Sequence, residues 1–244
     1  MPSEKTYEQF FEEHARSVIR YLGCQCEYFP RGTELDIVKG AYQMAFSERE
    51  SGGFTPLLIV LESHMFFENG ESSAELQKEV FAAPEFVCEE WFARKKTEHD
   101  RDFCYEPEQI VGEIAGGAAI NDFSGIIDYG INKSWECVLA KIPVKNPWDV
   151  FAWFPFGGWN DCPCPEEMLW IAKYWYEKYG AVPAVMTGSE LEFNARPVED
   201  KSEAFKLALE HFAFCPDHVL QNVGTIGKLA DSLTKSSVWH FWWD

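Results

Sequence analysis

Carboxylates beside aromatic residues are the side chains of this chain best suited to acid–base chemistry. Asp217 and Gln221, one helical turn apart, follow Pro216 in the run HFAFCPDHVLQN, with Glu210 and His218 close by. Asp244 closes the segment SSVWHFWWD. A carboxyl group held against indole rings can have a raised pKa and act as general acid or base. The structural use of the same residues is the commoner one: Asp217, directly after a proline at a helix start, caps the helix and meets its dipole. A second group is Trp159-Asn160-Asp161 after the pair Gly157-Gly158. It presents an indole and an amide to a ligand. Otherwise the glycines supply positive φ, Trp159 plugs the core, and Asn160 or Asp161 bonds the turn.

Cys162, Cys164, His211, Cys215 and His218 are residue types that ligate zinc. The C-P-C gap is tighter than the usual two-residue spacing and no second pair lies near it, so no metal is expected. Cys24-Gln25-Cys26 has the same short gap. Gly188-Ser189 falls in a hairpin turn, the wrong context for a nucleophile elbow. The glycines of IAGGAAI, residues 114–120, match neither phosphate-loop pattern. No catalytic residue and no cofactor is therefore expected, and the chain reads more as a binding protein than as an enzyme.

The elements that position these residues follow from local signals. Helices are predicted over Glu4 to Leu22, Thr33 to about Glu50 with Thr33 as cap, and from Ser72 or Ser73 onward with a split at Pro84. Thr97 to Glu108 reads as loop, and Ile110 to Gly130 as weak helix or irregular chain. Strands are predicted at Cys24–Phe29, Phe54–Leu61, Trp135–Val144 and Trp148–Phe154. Pro165 starts a helix that Gly180 ends. Val182–Met186 and Leu191–Ala195 form a hairpin, Asp200 and Thr225 cap two helices around a short one from Pro216, and Val238 to Trp243 is a last, buried or half-buried strand.

Composition sets the class. The 244 residues are 46% hydrophobic and 16% aromatic, enough for a substantial core. Forty Asp and Glu against 21 Lys and Arg give a net charge of -19. That field repels phosphate backbones, so no nucleic-acid partner is expected. No apolar run approaches the roughly 18 residues of a membrane span, and the N-terminal residues lack a signal-peptide pattern. A cytoplasmic location with reduced thiols is the expectation.

The segments GGWNDCP, WYEKYGA, LEF, ALEHFAFCPD, Val219, Gln221 and WHFWWD resemble the bacterial domain of unknown function DUF 4253, over about residues 135–244. The resemblance implies a fold and no activity. The expected architecture is α+β, a mixed and mainly antiparallel sheet flanked by helices. Its C-terminal part is expected in the ferredoxin-like or split βαβ order. Residues 1–132 and 133–244 are expected as two closely packed parts. The expected function is a non-catalytic, immunity-like or regulatory module that engages a basic protein through its acidic surface and an aromatic patch of Trp153, Trp159, Trp239 and Trp243. The alternative is an enzyme or small-ligand binder with a pocket between the GGWN turn and PDHVLQN, using Asn160, Asp217, Gln221 and Asp244.

Overall fold

A computed structural model describes residues 4–62, 67–68, 70–102 and 110–244, with side chains from residue 11 onward and not at 102. Helix α1 (Glu4–Leu22) ends at Gly23 and leads into strand β1 (Gln25–Phe29). Helix α2 (Leu35–Gly52) ends in left-handed Gly53 and feeds β2 (Thr55–Val60), every residue of which is buried. Pro84 separates α3 (Ala74–Ala82) from α4 (Cys88–Asp102). A two-residue pair, β3 (Ile127–Asp128) and β4 (Lys133–Ser134), precedes β5 (Cys137–Ile142). Then come α5 (Pro165–Tyr179), the hairpin β6 (Val182–Met186) and β7 (Glu190–Asn194), α6 (Lys201–Phe214), α7 (Ile226–Leu233) and β8 (Val238–Trp242).

Six strands form one mixed sheet in the order β1-β5-β2-β6-β7-β8. The β2–β6 pair is parallel and the other pairs are antiparallel. The fold is thus α+β. The C-terminal part runs strand, helix, two strands, helices, strand along the chain, but not in space as a ferredoxin-like unit. In that layout the first strand would lie between the third and fourth; here β2 stands between β5 and β6, and β8 pairs with β7. Because β2 comes from residues 1–132, the two expected parts share a single sheet.

Alternation along the strands divides the core in two. Leu57, Ile59, Phe193, Trp239 and Phe241 pack with α1 and α3 to α7 on one face. On the other, Leu58, Val60, Leu139 and Val185 pack against Val38, Tyr42 and Ala45 of α2. Among the described residues no helix is long and apolar enough to cross a membrane.

Three local expectations are corrected. Residues 148–154 do not form a strand: Pro147–Ala152 is a 3-10 helix. Proline at its first position pre-sets φ, Asn146 Nδ2 donates to Asp149 Oδ2 at 3.1 Å, and Trp153 N donates to Val150 O at 2.9 Å. With Val150, Phe151 and Ala152 all buried, a continuous apolar run cannot announce its own period. The loop expected over Thr97 to Glu108 is helix as far as Asp102, because α4 continues to that residue, aided by a Lys96–Asp100 pair at 2.6 Å. The rest of that stretch, residues 103–108, lies outside the described residues. The Asp200 and Thr225 caps are present, accepting from Glu203 N at 2.8 Å and Lys228 N at 3.1 Å. Thr33 instead donates to Pro30 O at 2.6 Å, and α2 starts two residues later.

Candidate functional site

The four tryptophans expected to share a surface are divided. Trp239 and Trp243 are each 1% exposed. Strand alternation turns Trp239 and Phe241 toward the helices, where both meet the fully buried Trp175. Phe241 stacks on Trp175 at 5.6 Å with rings 3° from parallel, and Trp239 meets it edge-on at 5.7 Å. Trp243 N donates to Ser189 O at 3.1 Å, which carries the chain past β8 and seats its ring against Phe214 and Phe156. Trp153 and Trp159 are half-buried against the same core. An aromatic patch of these four rings is therefore not presented to a partner. The indoles went inward because the sheet face covered by α1 and α3 to α7 needs bulk between the two layers.

The four polar residues do come together. Asp217 accepts from Gln221 Nε2 at Oδ1 (2.9 Å) and from the Asp244 backbone N–H at Oδ2 (3.1 Å). Asn160 Nδ2 donates to the Asp244 carbonyl. Asn160 sits at φ 46°, a left-handed conformation that asparagine tolerates better than most residues. Asp217 is half-buried, while Asn160, Gln221 and Asp244 are exposed. Both Asp217 oxygens thus accept bonds from within the chain, so the group clasps the residues after β8 to the turn after the Gly pair.

A second polar group adjoins it, and sequence reasoning did not assemble it. Glu192 lies opposite His240 in the β7–β8 ladder and is fully buried. It accepts from Ser124 N at 2.8 Å, Ser124 Oγ at 2.7 Å and Gly125 N at 3.3 Å. Burial pushes its carboxyl above the usual range, against the pull of His240 and the Ser124 bonds. His240 Nε2 is 3.4 Å from Glu190 Oε2, and its ring is 5.4 Å from that of His218. Burial lowers His218 to about 3 and puts His211 well below its ordinary value, so both imidazoles are neutral near pH 7. The available signal was period two: glutamates at 190 and 192 and histidine at 240 share the face opposite Leu191, Phe193 and Phe241.

Three clefts of about 150 Å³ are lined by described residues, and none includes Asn160, Asp217, Gln221, Asp244, His218 or His240. Among the described residues, no three His, Cys, Asp or Glu side chains are placed to hold a metal ion. Cys215 Sγ donates to Trp242 O at 2.9 Å, and Cys164 faces Glu167 at 3.6 Å.

One of those clefts combines apolar and acidic groups. It lies where the turn between α3 and α4 meets α5, lined by Phe86, Val87, Trp170 and Tyr174, with Glu85, Glu89 and Glu177 about them. Val87 is 54% exposed and nearby Phe81 51%. Lys173 answers the three carboxylates, pairing with Glu85 at 2.7 Å and lying 5.0 Å over the Trp170 ring. Trp170 Nε1 is buried and has no hydrogen-bond partner among the described residues. Burial, with Glu89, Glu210 and Glu85, pushes the Cys88 thiol up to about 12.

Residues 138–244 match the family model described as a domain of unknown function, DUF4253. No curated protein and no solved structure matches the chain. The matched span contains β5 from its second residue, β6 to β8, α5, α6 and α7 but neither β1 nor β2.

Proposed function

We propose that this chain, whose residues 138–244 carry a DUF4253 domain, is a non-catalytic protein-binding module that engages a basic partner, in an immunity-like or regulatory role. The observation that carries the reading is the cleft at the α3–α4 turn: an apolar floor open to solvent beside three carboxylates and one ammonium. Val87 and Phe81, each about half exposed, offer about 0.8–1.5 kcal/mol apiece if a partner buries the rest of them. Glu85, Glu89 and Glu177 select Lys or Arg around that contact, and the overall charge of -19 steers a basic protein and repels nucleic acid. The aromatic part of the partner surface is thereby assigned to Phe86 and Trp170. Trp239 and Trp243 take no part in it.

The test is a pull-down from the source lysate at low and at high salt, with wild type and Val87→Asp side by side. The expected result is a basic protein retained by wild type at low salt, released at high salt, and absent with Val87→Asp. Identical retention by both proteins, or retention insensitive to salt, refutes the reading.

The convergence of Asn160, Asp217, Gln221 and the Asp244 backbone favours a second reading, a small-ligand or enzyme site at that end of the sheet. A metabolite screen by thermal shift tests it. A hit whose stabilisation is unchanged in Asp217→Asn counts against it.

A further inference from the structure

Strand β1 is the outer strand of the sheet at the edge away from β8, and it starts beside a pair of thiols. Cys24 stands in the bend after left-handed Gly23, and Cys26 is the second residue of the strand. Both side chains lie on the face turned toward the larger core, and their sulfurs are 3.8 Å apart. Each is half-buried, whereas Cys88, Cys137, Cys162 and Cys215 are buried. The contact between the two sulfurs holds Cys24 below the ordinary thiol value and, with burial, Cys26 above it. Thiolates attack and thiols do not, so the pair consists of one sulfur ready to react and one held in reserve.

Geometry also bears on what the pair can form. Two residues apart on an extended strand, Cα atoms are about 6.6 Å from each other, near the upper limit of about 6.8 Å for a disulfide. A bridge formed near that limit is strained, and strained bridges are the more oxidising and labile ones. Cys24 lies outside the β1–β5 ladder, which starts at Gln25 opposite Lys141, so it can close on Cys26 without breaking a strand pairing.

We propose that Cys24 and Cys26 form a dithiol exchange site for low-molecular-weight disulfides. The Cys24 thiolate attacks one sulfur of RSSR; that S–S bond breaks, RS⁻ leaves and takes up a proton, and a Cys24–S–SR mixed disulfide forms. Cys26 releases its proton to solvent and attacks the Cys24 sulfur, and the second RS⁻ leaves and is protonated. Two protein thiols are oxidised to one disulfide while RSSR is reduced to two RSH, and excess RSH reverses both steps.

The full chain is incubated with glutathione disulfide and then with excess glutathione, and each cysteine is followed by peptide mass mapping. Wild type is expected to give an internal Cys24–Cys26 bridge that glutathione reopens. Cys26→Ser is expected to accumulate glutathione on Cys24. Cys24→Ser is expected to react at residue 26 more slowly than Cys26→Ser reacts at Cys24, since burial by itself still raises the Cys26 thiol. Glutathione reacting first at the half-buried Cys164, or equal rates at Cys26 with and without Cys24, overturns the proposal. Cys26→Ser reads a covalent adduct on Cys24 directly, so a modest loss of stability in one variant does not mask the outcome.

Discussion

Acid is expected to destabilise this fold through His218. The side chain is 1% exposed, and burial lowers its pKa from 6.5 to about 3, with His240 the second cause. In the unfolded chain the same imidazole protonates near its ordinary value. The unfolded state therefore binds the extra proton, so the stability linked to His218 is complete above 6.5 and is lost as pH falls toward 3. Between neutral pH and about pH 5 the loss amounts to about 2 kcal/mol, a large part of a typical domain's stability. His211 acts in the same direction. Glu192 opposes both: its folded value is raised, so the folded state takes up its proton first and gains stability as pH falls toward the ordinary carboxylate range. Urea unfolding across this pH range, on wild type and His218→Gln, isolates the single imidazole, because His211 and Glu192 are common to both. A buried glutamine shifts the whole curve; it does not titrate. The variant is expected to lose about 2 kcal/mol less than wild type between neutral pH and about pH 5. Parallel pH curves refute the assignment of the acid sensitivity to His218.

Residues 133–244 expressed alone are expected to lack a cooperative melt by near-ultraviolet circular dichroism, because β2, which separates β5 from β6, is missing; adding residues 1–132 should restore it. A sharp melt of the isolated part contradicts the shared sheet. Asp217→Ala removes the acceptor for the Asp244 N–H and for Gln221, and is expected to lower stability by about 1 kcal/mol, with faster hydrogen exchange at the Asp244 amide. Unchanged exchange there counts against the clasp.

What was legible in the sequence was what neighbours along the chain decide. Glycines at 23, 53 and 180 stop helices through positive φ, Asp200 and Thr225 cap through side-chain oxygens, and the β7 and β8 alternation shows in their residues. The 3-10 turn at Pro147 was hidden because its residues are apolar on every side. The site was half legible. Polar residues set into aromatic segments identified Asn160, Asp217 and Gln221, but bonds across 84 and 27 positions, to a backbone carbonyl and a backbone N–H, leave no local pattern. The error over Trp239 and Trp243 has a different origin. Aromatic surplus was read as surface, although the same alternation that made 238–242 a strand sends residues 239 and 241 to one face together.

The insertion of β2 also decides who builds the site. Glu192 and His240 belong to the DUF4253 span, yet the donors that satisfy the buried Glu192 carboxylate, Ser124 and Gly125, lie upstream of it. The turn between β6 and β7 is held likewise: Gly188 N donates to Glu62 Oε1 at 2.6 Å, from the residues just after β2. Residues 117–121 bind α7 and the start of β8 through Asp231, Ser236 and Ser237. A fully buried carboxylate without these donors would carry an unpaid desolvation penalty of several kcal/mol or bind a proton. The upstream part therefore supplies more than strands: its Ser124 bonds favour the charged form of Glu192 against the effect of burial. A substitution at Ser124 should alter how Glu192 titrates while leaving the β7–β8 pairing intact, because the hydroxyl and N–H of that upstream residue favour the charged carboxylate.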